Sequence, residues 1–165
     1  MYETVKSSPR TQPADRTLIG GILLCAVLFA VVAAMVIWSG WYQLRFQQFV
    51  SDLSDSTGYA YQNGGLQMEA DGKQVQVEGD LVYEVYQAVA FDGAGRLAER
   101  PERAPDAVLT YGDGSLLELW DMELEGYQSD TAEGVLLRYV DQSGVSYCYD
   151  TDGLRLDALI SQMSS

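Results

Sequence analysis

The chain opens its hydropathy pattern with one unbroken apolar run. Residues 18–38, LIGGILLCAVLFAVVAAMVIW, carry no charge, and no charged residue occurs between Arg16 and Arg45. At ~1.5 Å rise per residue such a run spans about 30 Å as a helix, the thickness of a bilayer core. It predicts a transmembrane helix over 18–38. Tyr42, Phe46, Phe49 and Leu53 then recur at i, i+4, i+7 and i+11, one face of a continuing helix. Ser54-Asp55-Ser56-Thr57-Gly58 reads as the stop of that helix.

Beyond residue 58 the pattern changes to short alternating segments. Leu66-Gln67-Met68-Glu69 and Gln74-Val75-Gln76-Val77-Glu78 flank Asp71-Gly72, which predicts a hairpin. Residues 106–111 and 115–122 flank Gly112-Asp113-Gly114, and 135–140 and 145–149 flank Asp141-Gln142-Ser143-Gly144, predicting two more. Asp92-Gly93 and Asp152-Gly153 are further turn pairs. One segment breaks the alternation. Asp80 can cap a helix whose Leu81, Val82, Val85 and Val89 share a face, although the β-branched content leaves a strand open. Leu156, Leu159, Ile160 and Met163 predict a short last helix within 153–163.

The expected architecture is a single transmembrane helix plus a small α+β outer domain, with a short helix packed on an antiparallel sheet of hairpins. Its parts are a disordered cytoplasmic tail (1–17), the transmembrane helix (18–38), a juxtamembrane helix and spacer (39–58) and the extracytoplasmic domain (59–165). Pro9 and Pro13 fall in a tail with no apolar period.

Charge adds an orientation. Lys6, Arg10 and Arg16 precede the apolar run, whereas Arg45 alone follows it closely. The positive-inside rule therefore places the N-terminus in the cytoplasm and the C-terminal domain outside. Trp38, Trp41 and Tyr42 stand at the exit, where amphipathic rings favour the headgroup layer. The run exceeds the h-region of a cleaved signal peptide, and the small-residue sites around Ala33 lie inside it. The chain's formal charge is −14, but four of its ten basic residues precede Phe46. From Phe46 onward six basic residues face 22 acidic ones, a balance of −16.

Composition then removes whole classes of chemistry. There is no histidine and there are only two cysteines. A Ser-His-Asp or Cys-His mechanism and a His-containing zinc site are excluded. A disulfide framework is excluded as well. The acidity argues against nucleic acid and against anionic lipid as partners of the outer domain.

Five local features carry candidate chemistry. Arg96, Arg100 and Arg103 cluster in the Gly/Pro loop 92–105 and could recognise an acidic partner, or pair with their own domain's carboxylates. Asp121, Glu123 and Glu125 alternate on a predicted strand and share one face, a solvated row or a site for a cation or a basic partner. Asp150-Thr151-Asp152-Gly153 begins like a calcium loop, but Leu154 and Ser161 stand where ligands are needed. Cys148 is expected to be a small buried apolar residue. Ala26, Ala30 and Ala34 form a smooth stripe that permits a homodimer through the transmembrane helix, although alanine is common in such helices.

The stretch Val75-Gln-Val-Glu-Gly-Asp-Leu-Val-Tyr-Glu-Val-Tyr-Gln-Ala-Val resembles a strand, acidic cap and amphipathic helix that recur in small uncharacterised membrane-anchored extracytoplasmic proteins of Gram-positive bacteria. Val108-Leu-Thr-Tyr-Gly-Asp-Gly-Ser and Gly144-Val-Ser-Tyr-Cys-Tyr resemble their later strands. That resemblance implies an anchored domain and no activity. Type IV pilins and pseudopilins share the plan of an apolar helix leading into a helix-and-sheet head. Gly20 or Gly21 can be aligned with their cleavage glycine, but the span lacks their glutamate.

The function expected from sequence is a non-enzymatic binding or accessory role at the bacterial cell envelope. It needs no cofactor and no metal, and takes a protein partner at the membrane or envelope. A pilin-like structural subunit is the alternative. An envelope hydrolase using paired carboxylates is a further one.

Overall fold

The computed structural model describes the backbone of residues 13–90, 96–125, 131–151 and 154–163. The Asp92-Gly93 and Asp152-Gly153 turns, and residues 1–12 of the tail, lie outside the described residues. Two compact units divide at Leu44 and Arg45. Both are served by one element, α1 (Pro13–Asn63).

In the first unit the helix is covered by nothing else among the described residues. Phe29 is 77% exposed and Ile37 71%, and the other large side chains from Ile19 to Trp38 are exposed too. This single helix is long and apolar enough to cross a membrane. It begins at Pro13, ahead of the expected Leu18, with proline in a first turn where its missing N–H costs nothing.

The second unit is an antiparallel six-stranded sheet with helical segments. Its strands are β1 (Leu66–Ala70), β2 (Lys73–Val77), β3 (Ala107–Thr110), β4 (Leu116–Glu125), β5 (Thr131–Val140) and β6 (Ser146–Thr151). Their order across the sheet is β2-β1-β3-β4-β5-β6. All three predicted hairpins are present. Asp71 and Gly72 both have positive φ, the condition for a two-residue hairpin turn. The other two turns close through Gly114 and Gly144, each at positive φ.

The segment 80–90 is helical, as α2 (Asp80–Ala90), with Val82, Val85 and Val89 buried on the expected face. The last helix is α3 (Leu156–Met163), which buries Leu156 and Leu159.

The stop expected at residues 54–58 does not occur, and α1 runs on to Asn63. Ser56 and Thr57 are buried there and find partners, while Ser54 and Asp55 stay exposed. Thr57 donates its hydroxyl to the Leu53 carbonyl at 2.7 Å, and the Ser56 hydroxyl meets Tyr139 OH at 2.7 Å. The helix ends instead at Gly64 and Gly65, both at positive φ, as a C-cap requires.

One sheet face holds the core. Leu66, Met68, Leu109, Leu117, Leu119, Leu137, Tyr139, Tyr147 and Tyr149 are buried on it, together with Phe49, Leu53 and Ala60 of α1. Phe49 sits inside a ring of aromatics, with centroids 5.2 Å from Tyr149, 5.8 Å from Tyr147 and 6.0 Å from Tyr139. The face of α1 read from sequence is thus used within its own domain.

Candidate functional site

The arginine loop is a strap across the opposite sheet face. Its first residues run beside β6. Leu97 bridges Tyr149, the Ala98 N–H donates to the Cys148 carbonyl at 3.1 Å, and the Asp150 N–H donates to the Arg96 carbonyl at 3.0 Å. The chain then crosses toward β4. Arg100 pairs with Glu118 at 3.4 Å, and Arg138 of β5 reaches the same carboxylate at 2.7 Å. The Arg100 guanidinium lies 5.9 Å from the Trp120 ring centroid.

Arg103 closes the strap. It pairs with Asp106 at 2.8 Å and donates to the Asp121 carbonyl at 2.6 Å, while its own carbonyl accepts the Trp120 indole N–H at 3.1 Å. Asp106 in turn accepts the Asp121 N–H at 2.8 Å. The hydrogen bond from Arg103 holds the Asp106 carboxyl below its ordinary range. Trp120 is fully buried beneath this crossing. Arg100 and Arg103 therefore engage their own domain's carboxylates, and their half-exposed side chains keep one flank toward solvent. Arg96 stands on β6 through its backbone. Gly93 and Gly95 lie outside the described residues.

Cys148 lies on this strap face and is half-buried, less enclosed than expected, because side chains of β6 alternate between the tyrosine core and the strap. Burial pushes its thiol up to about 11, so it is not a thiolate near neutral pH.

The acidic row on β4 follows the register of the sheet. Leu117 and Leu119 are buried, and Asp121 and Glu123 continue the same face into solvent. Glu123 stands directly across from Glu133, a like-charge pair eased by Arg155, which meets Glu133 at 2.9 Å. Asp121, Glu123, Glu133 and Asp157 line one shallow cleft, and Asp71, Asp106, Asp121 and Asp157 another. Among the described residues no group of acidic or cysteine side chains is arranged to hold a metal ion.

A polar seam joins α1 to the hairpin turns, and no sequence motif announced it. Ser56, almost fully buried, donates to Asp113 and meets Ser115 Oγ at 3.0 Å and Tyr139 OH at 2.7 Å. Tyr139 OH also donates to the Asp52 carbonyl at 3.1 Å. Arg45 donates to the Ser146 carbonyl at 2.9 Å, and its guanidinium lies 5.6 Å from the Tyr147 ring centroid. A serine so enclosed and so fully bonded holds the helix on the sheet. Ala26, Ala30 and Ala34 lie in the first unit, along its uncovered helix.

No protein-family model matches the chain, and neither a curated protein nor a solved structure does.

Proposed function

We propose that the protein is a single-pass membrane protein of the bacterial cell envelope, with a cytoplasmic N-terminus and an extracytoplasmic binding or accessory domain. The observation that carries this reading is the uncovered apolar helix of the first unit. Exposing that many large apolar side chains to water is unfavourable at about 25 cal/mol per Å², whereas a bilayer core accepts them. The basic residues before the apolar run support the orientation.

The binding role is supported by the domain's surface chemistry. Its acidic excess disfavours nucleic acid and anionic lipid and favours a protein partner. The raised Cys148 thiol and the enclosed Ser56 hydroxyl are poor nucleophiles, which fits the non-enzymatic reading. The strap, with Arg96, Arg100 and Arg103, is the proposed contact on its face of the sheet. The alanine stripe is the proposed seam of a homodimer.

Two measurements test the reading. A cysteine placed at exposed Gln142 (Gln142→Cys) should react with an impermeant thiol reagent in intact cells. Reaction only after lysis would reverse the orientation. Crosslinking in membranes should capture a protein partner, and replacing Arg96, Arg100 and Arg103 by alanine should weaken that capture. An unchanged partner set would remove the strap from the contact.

A further inference from the structure

The two edges of the sheet differ in how their backbone groups are used. Along β6 three outward-facing groups are occupied. The Ser146 carbonyl accepts Arg45 at 2.9 Å, the Cys148 carbonyl accepts the Ala98 N–H, and the Asp150 N–H reaches the Arg96 carbonyl. This edge is sealed against another strand.

Among the described residues the β2 edge is open. The two-residue turn at Asp71-Gly72 makes Ala70 and Lys73 a hydrogen-bonded pair, and the ladder alternates from there. Lys73, Val75 and Val77 thus turn their N–H and C=O groups toward β1. Gln74 and Gln76 turn theirs outward, and among the described residues no backbone group bonds to them. Both glutamines are exposed, and Val75 is partly so. No proline interrupts β2, whose register with β1 is continuous, without a bulge. Two donors and two acceptors in a row form a template for strand addition.

Charge selects the kind of strand. Glu69 lies opposite Gln74 on β1, Asp71 is in the turn, and Glu78 and Asp80 follow the end of β2. All four carboxylates are exposed, with Lys73 as the one cation on the strand. The same acidity repels a second copy of the domain and attracts a cationic segment.

We propose that the β2 edge receives an extended segment of a partner protein bearing lysine or arginine, paired to the backbone of Gln74 and Gln76. This rests on the binding role proposed above and adds to the strap a second docking place, at the sheet edge opposite β6, that takes a cationic segment.

The test uses the full chain in lipid nanodiscs and a capped peptide of alternating lysine and valine as the probe. The peptide should slow hydrogen exchange at the Gln74 and Gln76 amides. Gln76→Pro should weaken its binding about tenfold. That proline replaces an N–H facing solvent, so the ladder to β1 is retained. A glutamate–valine peptide, or the lysine peptide with alternate amides N-methylated, should not bind.

Protection confined to the acidic clefts beside α3, or no protection at all, would overturn the proposal. That exchange result on the unaltered chain stands whether or not Gln76→Pro folds. A dimer of the chain itself that Gln76→Pro disrupts would also overturn it, by giving the edge to a second copy. A crosslinked partner indifferent to Gln76→Pro would sink the edge while sparing the binding role. Failure to capture any partner would sink the binding role itself.

Discussion

The phenol of Tyr147 donates to the Asp52 carboxylate at 2.7 Å, joining β6 to α1 across 95 positions of sequence. Burial, and then the hydrogen bond to Asp52 and its charge, push this phenol up to about 12. An unfolded tyrosine ionises near pH ~10. The phenol's contribution to stability is therefore complete below that unfolded value. It is lost as pH rises through about 12. In Asp52→Asn the charge is gone, so phenolate absorbance should show one tyrosine ionising at lower pH than before. An unchanged alkaline titration would break the assignment of this pair.

Phe49 touches three tyrosines and two elements at once, so its loss should leave a cavity that the sheet cannot close. Phe49→Ala should cost about 3–5 kcal/mol in denaturant unfolding of the second unit. Phe29→Ala, on the uncovered helix of the first unit, should leave that transition where it is.

Gly112 is held by close backbone approach. A Cβ there would lie 3.2 Å from the Gly64 carbonyl oxygen and 3.3 Å from the Tyr59 ring. Gly112→Ala should therefore destabilise by about 1–3 kcal/mol. Gly58 is the opposite case, inside α1 with open space where its Cβ would be. Gly58→Ala should stabilise by about 0.5–1 kcal/mol. Thermal melts of the two variants should move in opposite directions.

Asp106 fixes the far end of the strap through Arg103 and the Asp121 N–H. Its carboxyl is held low, so its contribution is present above the unfolded value of about 3.9 and disappears as pH falls through the lower folded one. Asp106→Ala should flatten the acid limb of the stability curve and speed hydrogen exchange at Asp121. Arg100→Ala should cost no more than about 1 kcal/mol, since its ion pair is half open to solvent.

Local chemistry made much of the second unit readable. Asp71-Gly72 can supply two consecutive positive φ angles, and the alternation on either side fixes which residues face inward. The helix at 80–90 was favoured by a cap and a helical apolar spacing, while its β-branched content left a strand open until the structure decided for the helix. The end of α1 was misread because Ser54 to Gly58 look like a stop until the sheet supplies a partner for Ser56 and the preceding turn of α1 one for Thr57. The polar seam was invisible for the same reason. Asp52, Ser56, Asp113 and Tyr139 are ordinary residues far apart in sequence, and only the packing of α1 on the hairpin turns brings them together. The arginine loop stood out by composition, but its crossing of the sheet depends on Trp120 and Glu118, which carry no signal of their own.

The contacts of α1 with β6 also set an order for biogenesis. Phe49 leaves the ribosome early, and its partner Tyr149 lies 100 positions later. Phe46 and Phe49 must wait as a partly uncovered stripe until Tyr149 has been synthesised. Non-local pairing of this kind is intrinsically slow. A nascent chain halted before β6 would show that stripe to quality-control proteases, whereas a completed one would hide it.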